Sequence, residues 1–183
     1  MVDVDELMVN VGPVRMVIGS AARAHLTLST IMREKHPSLP GIEALLAQTA
    51  DLNEDDDDEI CRFNNRLRYA EPNQAEDDDG AGITHPVGTQ LEQFIRDWFL
   101  QEPTPANAFR IAAEVEARVD DFLDWVKRRM TRFGDHDGFQ FIDKIQGRAK
   151  KRMNRMDRFA TRTDTSNNST LIIVDVMLEE LLD

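Results

Sequence analysis

The chain has a single cysteine, Cys61, among 183 residues. No internal disulfide can form, and a reducing compartment is the simplest expectation. Long apolar runs are missing too: nothing approaches the roughly 18 residues that a membrane-spanning helix needs. The N-terminus MVDVDELMV lacks the basic n-region of a secretion signal. These absences point to a cytoplasmic protein, or one made there and assembled into a particle, with no membrane partner. Aromatic residues make up 7% of the chain, and in the basic stretch 144–162 only Phe159 is one, so sequence-specific single-strand recognition by base stacking is not supported. No GxSxG, HExxH, phosphate-binding glycine loop or dinucleotide fingerprint occurs. The sequence therefore assigns no catalytic residue, no metal site and no cofactor, and a non-enzyme is expected.

What is present is charge, unevenly placed. The formal net charge is -12. Residues 1–86 carry a net -10, residues 87–126 a net -5, residues 127–162 a net +8 and residues 163–183 a net -5. The choice within each sign is lopsided, with 21 Asp against 13 Glu and 17 Arg against 5 Lys. A bias of that kind fits a high-GC genome or a halophilic surface.

Helical periodicity dominates the pattern. After Pro13, the residues Val14, Val17, Ala21, Ala24, Leu28 and Ile31 recur at steps of three and four, which defines one helix face stopped by HPSLPG. A short helix fits GIEALLAQTADL and another fits EDDDDEICRFNNRLRYAE. The stretch PNQAEDDDGAGITHP, 72–86, has no period and reads as a linker or long loop. TQLEQFIRDWFLQE is a further apolar helix. Asn107 is a plausible N-cap for a long helix to Phe133, with Ala112, Val115, Val119, Phe122 and Val126 on its seam. GDHDG makes a turn, with Asp137 as a helix cap. The next helix runs from about Phe139 to Arg162 and buries Ile142, Ile145, Ala149, Met153, Met156 and Phe159. LIIVDVMLEELL closes the chain as a helix or, in its first half, a strand. The expected fold is an all-α helical bundle. It has an N-terminal helical lobe (1–71), an acidic linker (72–86) and a C-terminal part (87–183) built on a long antiparallel helical hairpin, about 107–162.

The segment KIQGRAKKRMNRMDRFATR, Lys144 to Arg162, raises the sharpest question, because it concentrates eight basic residues in an acidic protein. Lys144, Arg148, Lys151, Arg155, Arg158 and Arg162 step by four and three, forming a stripe about 27 Å long at about 1.5 Å per residue. Antiparallel packing across GDHDG makes positions that total about 272 face one another. The distal stripe then meets Glu114, Asp121 and their neighbours, so most of its charge is expected to have acidic partners in the same molecule. Near the turn both arms are basic. The candidate contact with nucleic acid or an acidic partner is therefore Lys127, Arg128, Arg129, Arg132, Lys144 and Arg148.

The acidic runs have simpler readings. DLNEDDDDEI resembles a calcium loop at Asp51, Asn53 and Asp55, but Asp56 stands where glycine is needed and Arg62 where a bidentate Glu belongs. Starting at Asp77, EDDDGAG fails likewise, with Gly88 at the last position. Solvated, helix-starting acidic runs are expected, in keeping with the positive end of a helix dipole. The four histidines share no metal-binding spacing, and Cys61 reads as a small core residue.

Both chain ends are apolar, which suggests anchoring. Candidate oligomer contacts are Val14, Val17, Ala21, Ala24 and Leu28 near one end and Leu171, Val174, Leu178 and Leu181 at the other. The leading functional expectation is a non-enzymatic assembly subunit, contacting itself or other protein subunits. By class analogy, a viral connector or capsid-associated protein is of this kind. Two alternatives stand beside it: a nucleic-acid-binding subunit using the turn-proximal cluster, and an acidic regulator that docks a basic partner.

Overall fold

The computed structural model describes residues 12–70 and 103–165, together with Ile95 and Asp97. These residues form an all-α bundle of four helices, with no strand among them. They are α1 (Gly12–Lys35), α2 (Pro40–Ala70), α3 (Pro105–Phe133) and α4 (His136–Thr165). No helix among the described residues is long and apolar enough to cross a membrane. The 72–86 linker, the chain end LIIVDVMLEELL and most of the TQLEQFIRDWFLQE segment lie outside the described residues.

The helix boundaries follow from local chemistry and correct three expectations. α2 is a single helix of 31 residues rather than two. Between Ile42 and Ala70 there is neither Gly nor Pro to break it, so the acidic run continues the helix instead of starting one. α3 is capped by Thr104 rather than Asn107: the Thr104 hydroxyl accepts from the Asn107 backbone N–H, and Pro105 occupies the first turn, where its missing N–H costs nothing. α4 is capped by Asp135 rather than Asp137, because Asp135 Oδ1 accepts from Gly138 N at 2.8 Å. The αL turn between α3 and α4 is taken by Gly134, with φ 75°, the conformation that glycine adopts without steric cost.

α1 packs on α2 and α3 packs on α4, giving two hairpins, and α1 also lies close against α3. The two hairpins, which the sequence assigns to either side of the linker, share one apolar cluster. It includes Val17, Ile18, Leu28, Ile42, Leu46, Ile60, Phe109, Val115, Phe122, Ile142, Ile145 and Met156. Ile95 is buried in the same cluster. Fully burying side chains of this size contributes roughly 1.5–3 kcal/mol each, so this cluster is the main source of stability. Phe109 and Phe159 meet edge to face across the α3–α4 hairpin at 5.3 Å between ring centroids. Arg15 clamps α1 to α2 through two 2.9 Å hydrogen bonds to Asp57.

Candidate functional site

Four core positions of the helical repeat carry ionisable groups instead of apolar ones. On α1, His25 is fully buried; on α2, Asp56 joins the buried amide of Asn53; on α3 and α4 the buried groups are Glu116 and Arg152. Each helix contributes one side of a single network. Glu116 lies at its centre. Its Oε1 accepts from His25 Nε2 at 2.8 Å and from Asn53 Nδ2 at 2.7 Å, while its Oε2 accepts from Arg152 Nε at 3.0 Å. Arg152 uses its other two nitrogens on α2: Nη1 donates to Asp56 Oδ2 at 2.8 Å and Nη2 to Asn53 Oδ1 at 3.4 Å. Asn53 completes its own set by donating to the Thr49 carbonyl at 3.0 Å.

The electrostatics follow from burial set against partners. Burial pushes the Glu116 carboxyl upward, but the His25 hydrogen bond, the Arg152 charge and the Asn53 amide outweigh it and hold the group below its ordinary range. For Asp56 the balance goes the other way: burial dominates, Arg152 and Arg148 offset it only in part, and the carboxyl is raised. Arg152 is raised because Glu116 and Asp56 overcome the cost of its own burial. Among the described residues, one polar atom at the centre lacks a partner: His25 Nδ1 is buried with no hydrogen bond.

From this centre a ladder runs outward between α2 and α4. Arg148 donates to Asp56 and Glu59, each at 2.7 Å, and Lys144 reaches the other Glu59 oxygen at 2.7 Å. Arg155 donates to Gln48 at 3.0 Å. Beyond Glu59 the Phe63 and Phe141 rings stack at 4.1 Å between centroids. The rungs pair rising positions on α2 with falling positions on α4, so the two helices are antiparallel. Yet they have little close backbone approach and meet through long side chains. The two carboxylates of Asp56 and Glu59 thus engage three cations. Glu59, held by Lys144 and Arg148, sits below the ordinary carboxylate range.

The residues singled out in the sequence take different partners in this arrangement. Of the proposed contact cluster, Lys144 and Arg148 face α2 in the ladder, whereas Lys127 faces α4, paired with Asp143 and donating to Gln146. Arg128 is exposed and paired with Asp124 one turn before it on α3, and Arg129 lies over the Trp125 ring at 5.0 Å from its centroid. Arg132 is exposed at the end of α3.

The expected α3–α4 register is close to that observed. Lys127 meets Asp143, Asp120 meets Lys150 and Glu116 meets Arg152, a shift of two to four positions from the expected pairing. What the sequence reading missed is α2 as the larger acidic partner. Asp56 belongs to a buried network, so the solvated reading of the acidic run fails at that position. Of the candidate oligomer contacts, Val14, Val17, Ala21, Ala24 and Leu28 are buried inside this chain, at most 4% exposed. That seam is occupied by the chain's own helices, because an apolar face with small residues packs against the nearest complementary helix. Leu171, Val174, Leu178 and Leu181 lie outside the described residues.

Chemically the network satisfies both oxygens of Glu116 and all three nitrogens of the Arg152 guanidinium, and leaves His25 Nδ1 without a partner among the described residues. Among the described residues, no group of three or more His, Cys, Asp or Glu side chains is arranged to hold a metal ion. Comparisons with protein-family models, with curated proteins and with solved structures give no match for this chain.

Proposed function

We propose that this chain is a non-enzymatic helical subunit that acts through protein–protein contacts, in a homo-oligomer or a larger complex. The observation that carries the reading is the internal use of the basic segment. Lys127, Lys144, Arg148, Lys150 and Arg152 each hold a carboxylate of the same chain. Phosphate binding draws its affinity from cations free to displace counterions, and here those cations are already engaged. The outward side of α2 is acidic, with Asp51, Glu54, Asp55 and Asp58 exposed. Such a surface repels polyanions and selects partners by charge and shape.

The test is size-exclusion chromatography with light scattering and a 260/280 nm absorbance ratio, at low and high salt. A defined oligomer or a stoichiometric complex with a protein-like ratio in both conditions is expected. Co-purifying nucleic acid that dissociates at high salt would overturn the reading in favour of a phosphate-binding subunit.

A further inference from the structure

We infer that the α2–α4 seam is an ionic latch, hinged on the α1–α3 contact, through which the two hairpins part while each stays folded. The bundle is asymmetric in how its edges are closed. α1 and α3 approach closely, and both have buried faces rich in alanine: Ala21, Ala22 and Ala24 on one, Ala108, Ala112 and Ala113 on the other. That edge is held by close apolar packing around one fully buried polar contact, His25 to Glu116. The opposite edge is closed by side chains reaching across a wider gap: Lys144 and Arg148 to Glu59, Arg148 and Arg152 to Asp56, Arg155 to Gln48. Close helix packing excludes water and gains dispersion energy, whereas bridges between long charged side chains gain little where solvent reaches them.

Solvent does reach the outer rungs. The side chains of Lys144, Arg148 and Glu59 are 60%, 34% and 31% exposed. Arg148 Nε, by contrast, is shut away from solvent with no partner among the described residues, so the other described groups of the closed seam leave this donor unserved. Separation at this edge lets water solvate every group in the ladder. Neither helical hairpin has to lose a backbone hydrogen bond. The inference stands on this geometry and holds whether or not the chain is an assembly subunit.

The experiment places single thiols on the two edges in a Cys61→Ala background and follows their reaction with a chromogenic disulfide reagent. Thr49→Cys reports the seam, because Thr49 is fully buried on α2 beside the ladder residue Asn53. Ala112→Cys reports the alanine-rich α3 face on the hinge side, where Ala112 is fully buried. When closing is fast relative to labelling, the rate follows the population of the open form. Glu59→Gln removes the charge that Lys144 and Arg148 share. It is expected to accelerate labelling at position 49 about fivefold, the factor for about 1 kcal/mol lost from partly exposed pairs, with no change at position 112. Equal acceleration at both positions would mean global loosening, and no acceleration at position 49 would mean the rungs do not hold the edge; either overturns the latch. Glu59 is only partly buried, so this variant tests the idea without disturbing the Glu116 centre. Far-ultraviolet circular dichroism confirms that the helices persist.

Discussion

Replacing Glu116 by glutamine is the perturbation with the most to reveal, because it changes almost no volume and one charge. In the native network the carboxylate accepts three hydrogen bonds, from His25, Asn53 and Arg152. A glutamine amide offers one oxygen and one NH2 group. At least one of the three donors must then face another donor, and Arg152, itself buried, loses one of its two counter-charges. Removing one partner of a buried ion pair costs about 3–5 kcal/mol, since the other is left uncompensated. Set against a total stability of about 5–15 kcal/mol for a domain, that is a large fraction. With a urea dependence of about 2 kcal/mol per M, the unfolding midpoint falls by about 2 M.

The same logic predicts that replacing the whole set by apolar residues recovers most of the loss. That variant carries His25→Leu, Asn53→Leu, Asp56→Leu, Glu116→Leu and Arg152→Met. Its stability is expected within about 1 kcal/mol of the parent or above it, because no buried charge is left unpaired. Urea unfolding followed by circular dichroism measures both. A Glu116→Gln variant within about 1 kcal/mol of the parent would refute the reasoning, since a centre that three buried donors depend on cannot be altered so cheaply.

Three further outcomes follow from the geometry. Gly134→Ala places a β-carbon at φ 75° and is expected to cost about 1–2 kcal/mol, read as a drop in thermal midpoint of several degrees. Thr104→Ala removes the α3 cap and is expected to cost about 1 kcal/mol, while Thr104→Ser, which keeps the hydroxyl, stays close to the parent in the same melt. For pH, the hydrogen bonds from Lys144 and Arg148 lower Glu59 below its ordinary 4.5. Its contribution is therefore present above that value and lost as pH falls through the folded-state value. Asp56 is raised by burial and acts oppositely, its contribution shrinking as pH rises through its folded-state value. Glu59→Gln should thus flatten the acid limb of the stability curve and Asp56→Asn should steepen it; chemical unfolding at a series of acidic pH values compares the slopes.

The helices were legible because apolar residues repeat at 3.6 over long stretches, and the α3–α4 hairpin was legible because a Gly and Asp turn joins two such patterns. The network was legible in principle and went unread. Glu116 lies one turn from Ala112 and three residues from Val119, so it occupies the apolar face of α3. Arg152 stands likewise between Ala149 and Met156, and Asn53 and Asp56 continue the face begun by Ile42, Leu46 and Thr49. An ionisable residue at a core position of the repeat, once on each helix and with carboxylates set against a guanidinium, is a signal for a buried pair. Reading the acidic run by its local density hid it, because density does not say which member of DDDD points inward; the helical phase does. The pairing of α2 with α4 was out of reach for a different reason. It joins residues about 90 apart in sequence, such as Arg148 and Glu59, and no local pattern encodes that separation. The α3–α4 register was available because the turn length sets it.

The central claim is that the basic segment is neutralised across the bundle by α2. A double-mutant cycle between Asp56 and Arg152, using Asp56→Asn, Arg152→Gln and the pair together, tests it most directly. The two residues lie 96 positions apart in sequence and 2.8 Å apart in the fold. A coupling energy of about 1.5 kcal/mol or more is expected by urea unfolding, in the range for charged groups in direct contact. A coupling within about 0.3 kcal/mol of zero would mean that Arg152 does not hold Asp56, and would contradict the claim at its centre.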